Sequence, residues 1–365
     1  MRATSFAMAS ALLVSAPASA EDAFHGLGGV SFGGVLSVAN GVSRDGRMIV
    51  GIRGTGTGFE AVRWTPGGVF GLGDLPGGGS GAVANDVAPS GRAIVGQSES
   101  ANGFEAFRWT PATGMVGLGD LPGPGSFASR GLAASANGLI VVGLSQRPQD
   151  GHGYNAWRWT PATGMVDLGD LPGGDPHGIA SGVSADGSVV VGASSSSAGS
   201  EGFIWKAATG MVGIGDLAGG IFSSSAQDVS ANGLVVVGSG SGPAGSEAIR
   251  WTAAGGVVGL GDLPGGTFSS AAMSVSGDGS IIVGSASTAN GFEAFFWTQA
   301  TGMVNLRDYL LDHGVAAVAG WLLTSASAIS ADGATIVGTG MNPDFEFEGW
   351  VATIDLGPVE DPAIP

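Results

Sequence analysis

The chain repeats itself seven times, and that repetition restricts its fold more than any other property it has. A turn signal of the form S-x-[DN]-G recurs as Ser43–Gly46, Ser135–Gly138, Ser184–Gly187, Ser230–Gly233, Ser276–Gly279 and Ser330–Gly333, with a degraded copy in register at Ala88–Gly91. The closing glycines stand at 46, 91, 138, 187, 233, 279 and 333, so the steps are 45, 47, 49, 46, 46 and 54 residues. Each turn is followed by a β-branched run ending in glycine, such as Val189–Gly192 or Ile281–Gly284. A tryptophan then follows in every unit: Trp64, Trp109, Trp159, Trp205, Trp251, Trp297 and Trp350.

Each unit reads as four short strands. In the sixth, Ser269–Ser276 alternates small and apolar residues, Gly277-Asp278-Gly279 turns, and Ser280–Ser285 is a second strand rich in isoleucine and valine. Phe292–Thr298 and Met303–Asp308 supply the third and fourth. Asp-Gly or Asn-Gly between β-rich runs favours a hairpin, because both turn positions must tolerate positive φ. No helix-length periodic segment interrupts the series. Four strands repeated at this spacing predict an all-β, seven-bladed β-propeller of four-stranded antiparallel blades. The seventh unit supplies three strands, and the fragment Phe24–Gly29 matches a fourth strand such as Met115–Asp120. The N-terminal strand is therefore expected to complete the last blade and remove two exposed sheet edges. A β-helix with two rungs per repeat is the alternative architecture.

Composition narrows the class. Of 365 residues, 70 are glycine and 17 proline, yet 44% are hydrophobic and 12% charged, so the chain has the apolar surface to fold and turns often. The absence of cysteine excludes disulfides, thiol catalysis and thiolate-held metals. A net charge of −17, from 13 Lys and Arg against 30 Asp and Glu, disfavours nucleic acid and anionic lipid. The start Met1–Arg2, the apolar run Phe6–Val14 and Ala18-Ser19-Ala20 read as a signal peptide. The expected division is a signal peptide at 1–20, one propeller domain at 21–356 and a tail at 357–365. The mature protein is expected to be secreted, periplasmic or extracellular, monomeric and without an integral membrane segment.

The segments E-A-F-x-W-T, G-M-V-x-L-G-D-L-P-G-G and S-x-D-G-x-x-V-V-G together resemble the HAF repeat, named for His-Ala-Phe, of predicted extracellular bacterial proteins. The matching triplets include Glu105-Ala106-Phe107, Asn155-Ala156-Trp157, Glu201-Gly202-Phe203 and Glu293-Ala294-Phe295, and the resemblance covers essentially the whole mature chain. Glu or Asn stands where the name-giving histidine would be, so no role for that histidine carries over. The resemblance implies an exported repeat protein and transfers no catalytic residue.

Repeated polar residues point to structure, since repeats specify contacts with neighbouring repeats. Glutamates such as Glu105 and arginines such as Arg108 occupy opposite faces of the third strand, which predicts ion pairs between adjacent blades. The aspartates Asp74, Asp120, Asp170, Asp216, Asp262 and Asp308 are expected to accept backbone N–H bonds and fix the following bend. The axis is expected to be narrow and lined by serine and alanine without converging charges. Gly29–Gly33 matches G-x-S-x-G but lacks the strand-to-helix context of a nucleophile elbow. No catalytic residue, metal site or cofactor is assigned.

Departures from the repeat carry the functional expectation, because binding residues concentrate on loops held by a rigid scaffold. The second-to-third and fourth-to-first connections should emerge on one face. There the third unit carries Arg147, Asp150, His152 and Tyr154, the next bend carries Asp175 and His177, and the longest insertion, Tyr309–Trp321, carries His313 and suits a short helix. These seven residues form the candidate ligand site. The sequence thus reads as a binding or structural module for an extracellular glycan, envelope component or protein; the alternative is a secreted hydrolase or lyase built around Asp150, His152, Asp175 and His177.

Overall fold

The computed structural model describes residues 22–123, 127–146 and 153–355. The described chain is all-β, and its strands pair into four-stranded antiparallel sheets. The first strands of the seven units are Ser37–Val42, Val83–Val87, Phe127–Ala134, Gly173–Val183, Ser224–Val229, Ser270–Val275 and Leu322–Ile329. A short parallel pairing of Phe127 and Ala128 with Gly103 and Phe104 fuses the second and third units into one eight-stranded sheet.

The turn signal works through its side chains. Ser43 Oγ donates to Asp45 Oδ1 (2.8 Å) and accepts from Met48 N (3.0 Å), while Gly46 takes the left-handed conformation at φ 69°. The same serine bridge recurs at Ser135, Ser184, Ser230, Ser276 and Ser330. Ala88–Gly91, lacking the pair, keeps the backbone turn through Gly91 N to Ala88 O at 2.7 Å. Successive turns also bond to one another. Arg44 N donates to Pro89 O, Ser90 N to Ala136 O, Ala136 N to Ala185 O, Ala185 N to Ala231 O, Ala231 N to Gly277 O, and Gly277 N to Ala331 O. Asp332 N then donates to Arg44 O, so the series returns to the residue where it began.

The repeated second-strand glycine has a steric cause. The first strand carries a bulge in each unit, for example between Ala84 and Asp86, which brings its carbonyls close to the neighbouring strand. A Cβ on Gly96 would overlap Val83 O and press on the Phe107 ring at 2.9 Å; Gly143, Gly192 and Gly338 face the same obstruction.

Seven clusters of buried apolar side chains hold the sheets face to face, and each joins one unit to the next. Phe107, Trp157, Phe203, Phe295 and Trp350 fill equivalent third-strand positions and are fully buried. One cluster unites Val337 and Val351 of the seventh unit with Ala39, Val62 and Trp64 of the first. Trp350 thus sits at the Phe107 position, two residues from the place Trp109 takes, and does not continue the tryptophan series expected from spacing.

The N-terminal strand Ala23–Gly26 pairs antiparallel with Phe347–Thr353, matching Phe24 with Ala352 and Gly26 with Trp350. Its register is that of a fourth strand, as in Met115 with Trp109 and Gly117 with Phe107. In the sixth unit the fourth strand stops at Asn305, whose Oδ1 caps helix α1 (Leu306–Asp312) by accepting from Arg307 N and Asp308 N. The insertion therefore turns helical three residues earlier than expected, and Leu306 and Leu310 anchor it in the core.

Candidate functional site

The repeated polar side chains are committed to the scaffold, though not as expected. Glu105, Glu201, Glu247 and Glu348 each accept a backbone N–H through Oε1, from Gly119, Gly215, Gly261 and Gly28. Among the described residues these four carboxylates are engaged with backbone N–H groups of their own sheets, where side-chain alternation suggested Glu–Arg pairs between blades. The fourth strand is short, and its exit leaves N–H groups that these carboxylates reach inside their own sheet. Arginines do cross between units: the Arg63 guanidinium lies over the Trp109 ring at 4.8 Å, and Arg108 Nε donates to Gly138 O at 2.6 Å. The bend aspartates behave as expected at Asp74, Asp120, Asp216 and Asp262, each accepting backbone N–H groups across its bend. Asp308 instead lies in the first turn of α1.

The first strands enclose a cavity of about 120 Å³ to which all seven units contribute. Two of its residues are carboxylates, Asp86 and Asp228. The corresponding bulge positions elsewhere hold Gly41, Ala133, Gly182, Ser274 and Ala328. Asp86 accepts from Val87 N (2.7 Å) and Ala134 N (2.9 Å), and Asp228 from Val229 N (2.7 Å), Ser274 Oγ (2.8 Å) and Val275 N (3.0 Å). Each carboxyl is wetted only partly, through the cavity, and otherwise enclosed by protein. Burial pushes Asp86 up to about 7, the nearby Asp228 charge adds to the shift, and the Ala134 and Val87 amides oppose it. Burial likewise raises Asp228, against the bonds from Ser274, Val275 and Val229. The expectation of an axis free of charged groups is corrected here. Aligning the bulge positions of the repeats is the signal that finds both aspartates.

Nearer the start of the same strands lies a wider mouth of about 420 Å³, edged by uncharged residues including Asn40, Asn85, Ser181, Gln227 and Ser327. Asn40 Nδ2 donates to Ala84 O and Asn85 Nδ2 to Gly131 O, tying neighbouring first strands together.

Of the candidate loop residues, Arg147, Asp150 and His152 lie outside the described residues. Tyr154 and His177, from consecutive units, meet edge to face with ring centroids 5.6 Å apart. Asp175 is exposed two residues before His177, in the long first strand Gly173–Val183. His313 belongs elsewhere: it caps the C-terminus of α1, stacks on Tyr309 at 4.0 Å, and its Nδ1 lies 2.9 Å from Tyr309 O. Helix α1 touches the third and fourth strands of the sixth unit and the first strand of the seventh, so His313 does not join Tyr154 and His177. Among the described residues no three His, Asp or Glu side chains gather in a way that could hold a metal ion.

One feature of the same rim escaped the sequence reading. The residue before the third-strand Glu, or Asn155 in the third unit, is aromatic in five units, as Phe59, Phe104, Tyr154, Phe292 and Phe347, and serine in the other two, at Ser200 and Ser246. Phe104 is 49% exposed and Phe292 51%. A comparison of G-F-E-A, G-Y-N-A and G-S-E-A is the signal that reveals this series.

No protein-family model and no curated protein matches this chain. Solved structures do. An oligogalacturonate lyase from Vibrio parahaemolyticus superposes with a TM-score of 0.55 at 10% identity, covering 92% of this chain and 98% of its own. A chain of a mitotic checkpoint complex gives 0.50 at 13% identity, covering 98% and 100%. TolB from Acinetobacter baumannii gives 0.48 at 11% identity; 72% of this chain aligns, over 63% of TolB, so the chain spans less than two thirds of that protein. At these identities the likeness concerns architecture alone: the chain is an all-β protein of four-stranded antiparallel sheets with β-propeller-like neighbours.

Proposed function

We propose that the chain is an exported, closed, seven-bladed β-propeller that serves as a binding module for an extracellular or envelope ligand, a glycan or a protein. Closure is supported by the N-terminal strand seated on the seventh unit, the core cluster between the seventh and first units, and the series of turn bonds that returns to Arg44. Export rests on the leader-like segment Met1–Ala20, which lies outside the described residues.

The observation that carries the binding reading is the Tyr154–His177 contact. There a ring at a repeated third-strand position meets a histidine from the bend that departs from the repeat in the next unit, whereas the repeated Glu and Asp side chains are spent on backbone bonds. Arg147, Asp150 and His152 precede Tyr154 in sequence and belong to the proposal on sequence grounds alone, with Asp175 two residues before His177. The alternative, a hydrolase or lyase built around Asp150, His152, Asp175 and His177, needs an acid and a base over an open cleft; Asp150 and His152 lie outside the described residues, so no such pair supports it. The test is a glycan-array and envelope-protein binding screen of residues 21–365, with and without calcium, repeated for Tyr154→Ala and His177→Ala. Loss of the hit in both variants with an unchanged melting temperature supports the module. A hit unaffected by both overturns this placement of the site.

A further inference from the structure

The five aromatic positions belong to consecutive units, running from Phe292 of the sixth through Phe347 of the seventh and Phe59 of the first to Phe104 and Tyr154. Rings presented once per unit at one register position form an arc on the proposed ring, interrupted by Ser200 and Ser246. The arc is densest where the seventh unit meets the first. There Phe32 packs edge to face on Phe59 at 5.2 Å, and the backbone of Phe347 bonds to both Gly34 and Leu36.

Phe345 marks the same seam. It is the one non-glycine residue with positive φ among those described, at 62°, and its side chain is 82% exposed. The buried Asn342 side chain accepts from Asp344 N and Glu346 N, and Phe345 N donates to Asn342 O, so the loop is pinned with the ring outward. The left-handed backbone is uncommon for phenylalanine and holds the ring outward beside the exposed Phe347, a combination that points to an interaction surface.

Charge selects the partner. Within two residues of these rings, or facing them across the strand register, lie the exposed Asp344 and the half-buried Glu60, Glu99 and Glu346, whereas Glu105, Glu293 and Glu348 are buried or bonded within the scaffold. Arg53, opposite Glu60, is held by it at 2.6 Å. Aromatic faces among carboxylates, on a chain of net charge −17, attract cations through both ring quadrupole and Coulomb field and repel polyanions.

We propose that this aromatic arc docks a basic, lysine- or arginine-rich protein segment. The proposal rests on the binding-module reading above and narrows its ligand to a protein. Serine already occupies the equivalent positions in two units, so Phe104→Ser and Phe292→Ser are substitutions the scaffold accepts. The probe is fluorescein-labelled decalysine, read by polarisation against a Gly-Ser peptide of equal length, a neutral β-glucan oligomer and decaglutamate. Decalysine is expected to bind, with affinity falling as salt rises. The triple variant Phe104→Ser, Phe292→Ser, Phe345→Ser is expected to bind about tenfold more weakly at unchanged melting temperature. Installing Ser200→Phe and Ser246→Phe is expected to tighten binding. Equal decalysine affinity in wild type and triple variant overturns the proposal, as does preferential binding of the glucan through these rings. Either failure leaves the Tyr154–His177 reading standing, since none of these variants touches that pair.

Discussion

Glu348 Oε1 accepts a hydrogen bond from the backbone N–H of Gly28 at 2.7 Å across 320 positions of sequence. Its counterparts, Glu105 with Gly119, Glu201 with Gly215 and Glu247 with Gly261, each span 14 positions at 2.8 to 3.1 Å. The backbone repeats the identity: Leu27 N donates to Gly349 O at 2.8 Å, as Leu118 N does to Ala106 O. Residues 23–28 thus occupy a fourth-strand place bond for bond.

Replacing Glu348 by alanine removes this bond and the one Glu348 Oε2 receives from Asn342 Nδ2. We expect a loss of about 1–3 kcal/mol and faster limited proteolysis between residues 22 and 30. Glu105→Ala should cost a similar amount without exposing the N-terminus. Identical cleavage patterns for the two variants would contradict a closing role for Glu348.

Asp86 makes stability depend on pH. Its folded value, about 7, lies above the ordinary 3.8, so the neutral form is favoured in the fold. The stability contributed by the neutral carboxyl is complete below about 3.8 and is lost as pH rises through 7, up to about 4 kcal/mol. Wild type should melt at falling temperature between pH 5 and 8. Asp86→Asn should flatten that slope, and the difference between the two proteins isolates this group from the general charge of the chain. Parallel curves for both proteins would show that Asp86 ionises freely.

Gly96→Ala tests the repeated close approach. The new Cβ meets Val83 O and the Phe107 ring, neither of which has room to yield in a fully buried interface. A loss of about 3 kcal/mol or more in urea unfolding is expected. Phe104→Ser, three residues from Phe107 on the exposed rim, should stay within about 0.5 kcal/mol of wild type. An unchanged midpoint for Gly96→Ala would remove the steric account of the repeat.

The fold was legible because its signals are local and repeated. Ser276 and Asp278 build their turn within five residues, and Phe24–Gly29 matches Met115–Asp120 by direct alignment. The side-chain partners were less legible. Alternation says which face Glu105 occupies, but not that a four-residue fourth strand leaves the Gly119 N–H within reach. Asp86 and Asp228 look like ordinary strand aspartates until the bulge turns their positions toward the axis. Trp350 fits the tryptophan spacing yet lies two residues out of register, because one aromatic can fill either of two core positions. Tyr154 and His177 are brought together by the pairing of units, while His313 follows its helix to another part of the fold.

The most direct test of closure uses the absence of natural cysteine. Ala23 and Thr353 face each other in the register of the closing strand, so Ala23→Cys with Thr353→Cys places two thiols at cross-strand positions. Under mild oxidation we expect a single intramolecular disulfide, seen as an intact mass two hydrogens lighter and no titratable thiol in the folded protein. Two free thiols persisting in folded, oxidised protein would contradict the closed ring.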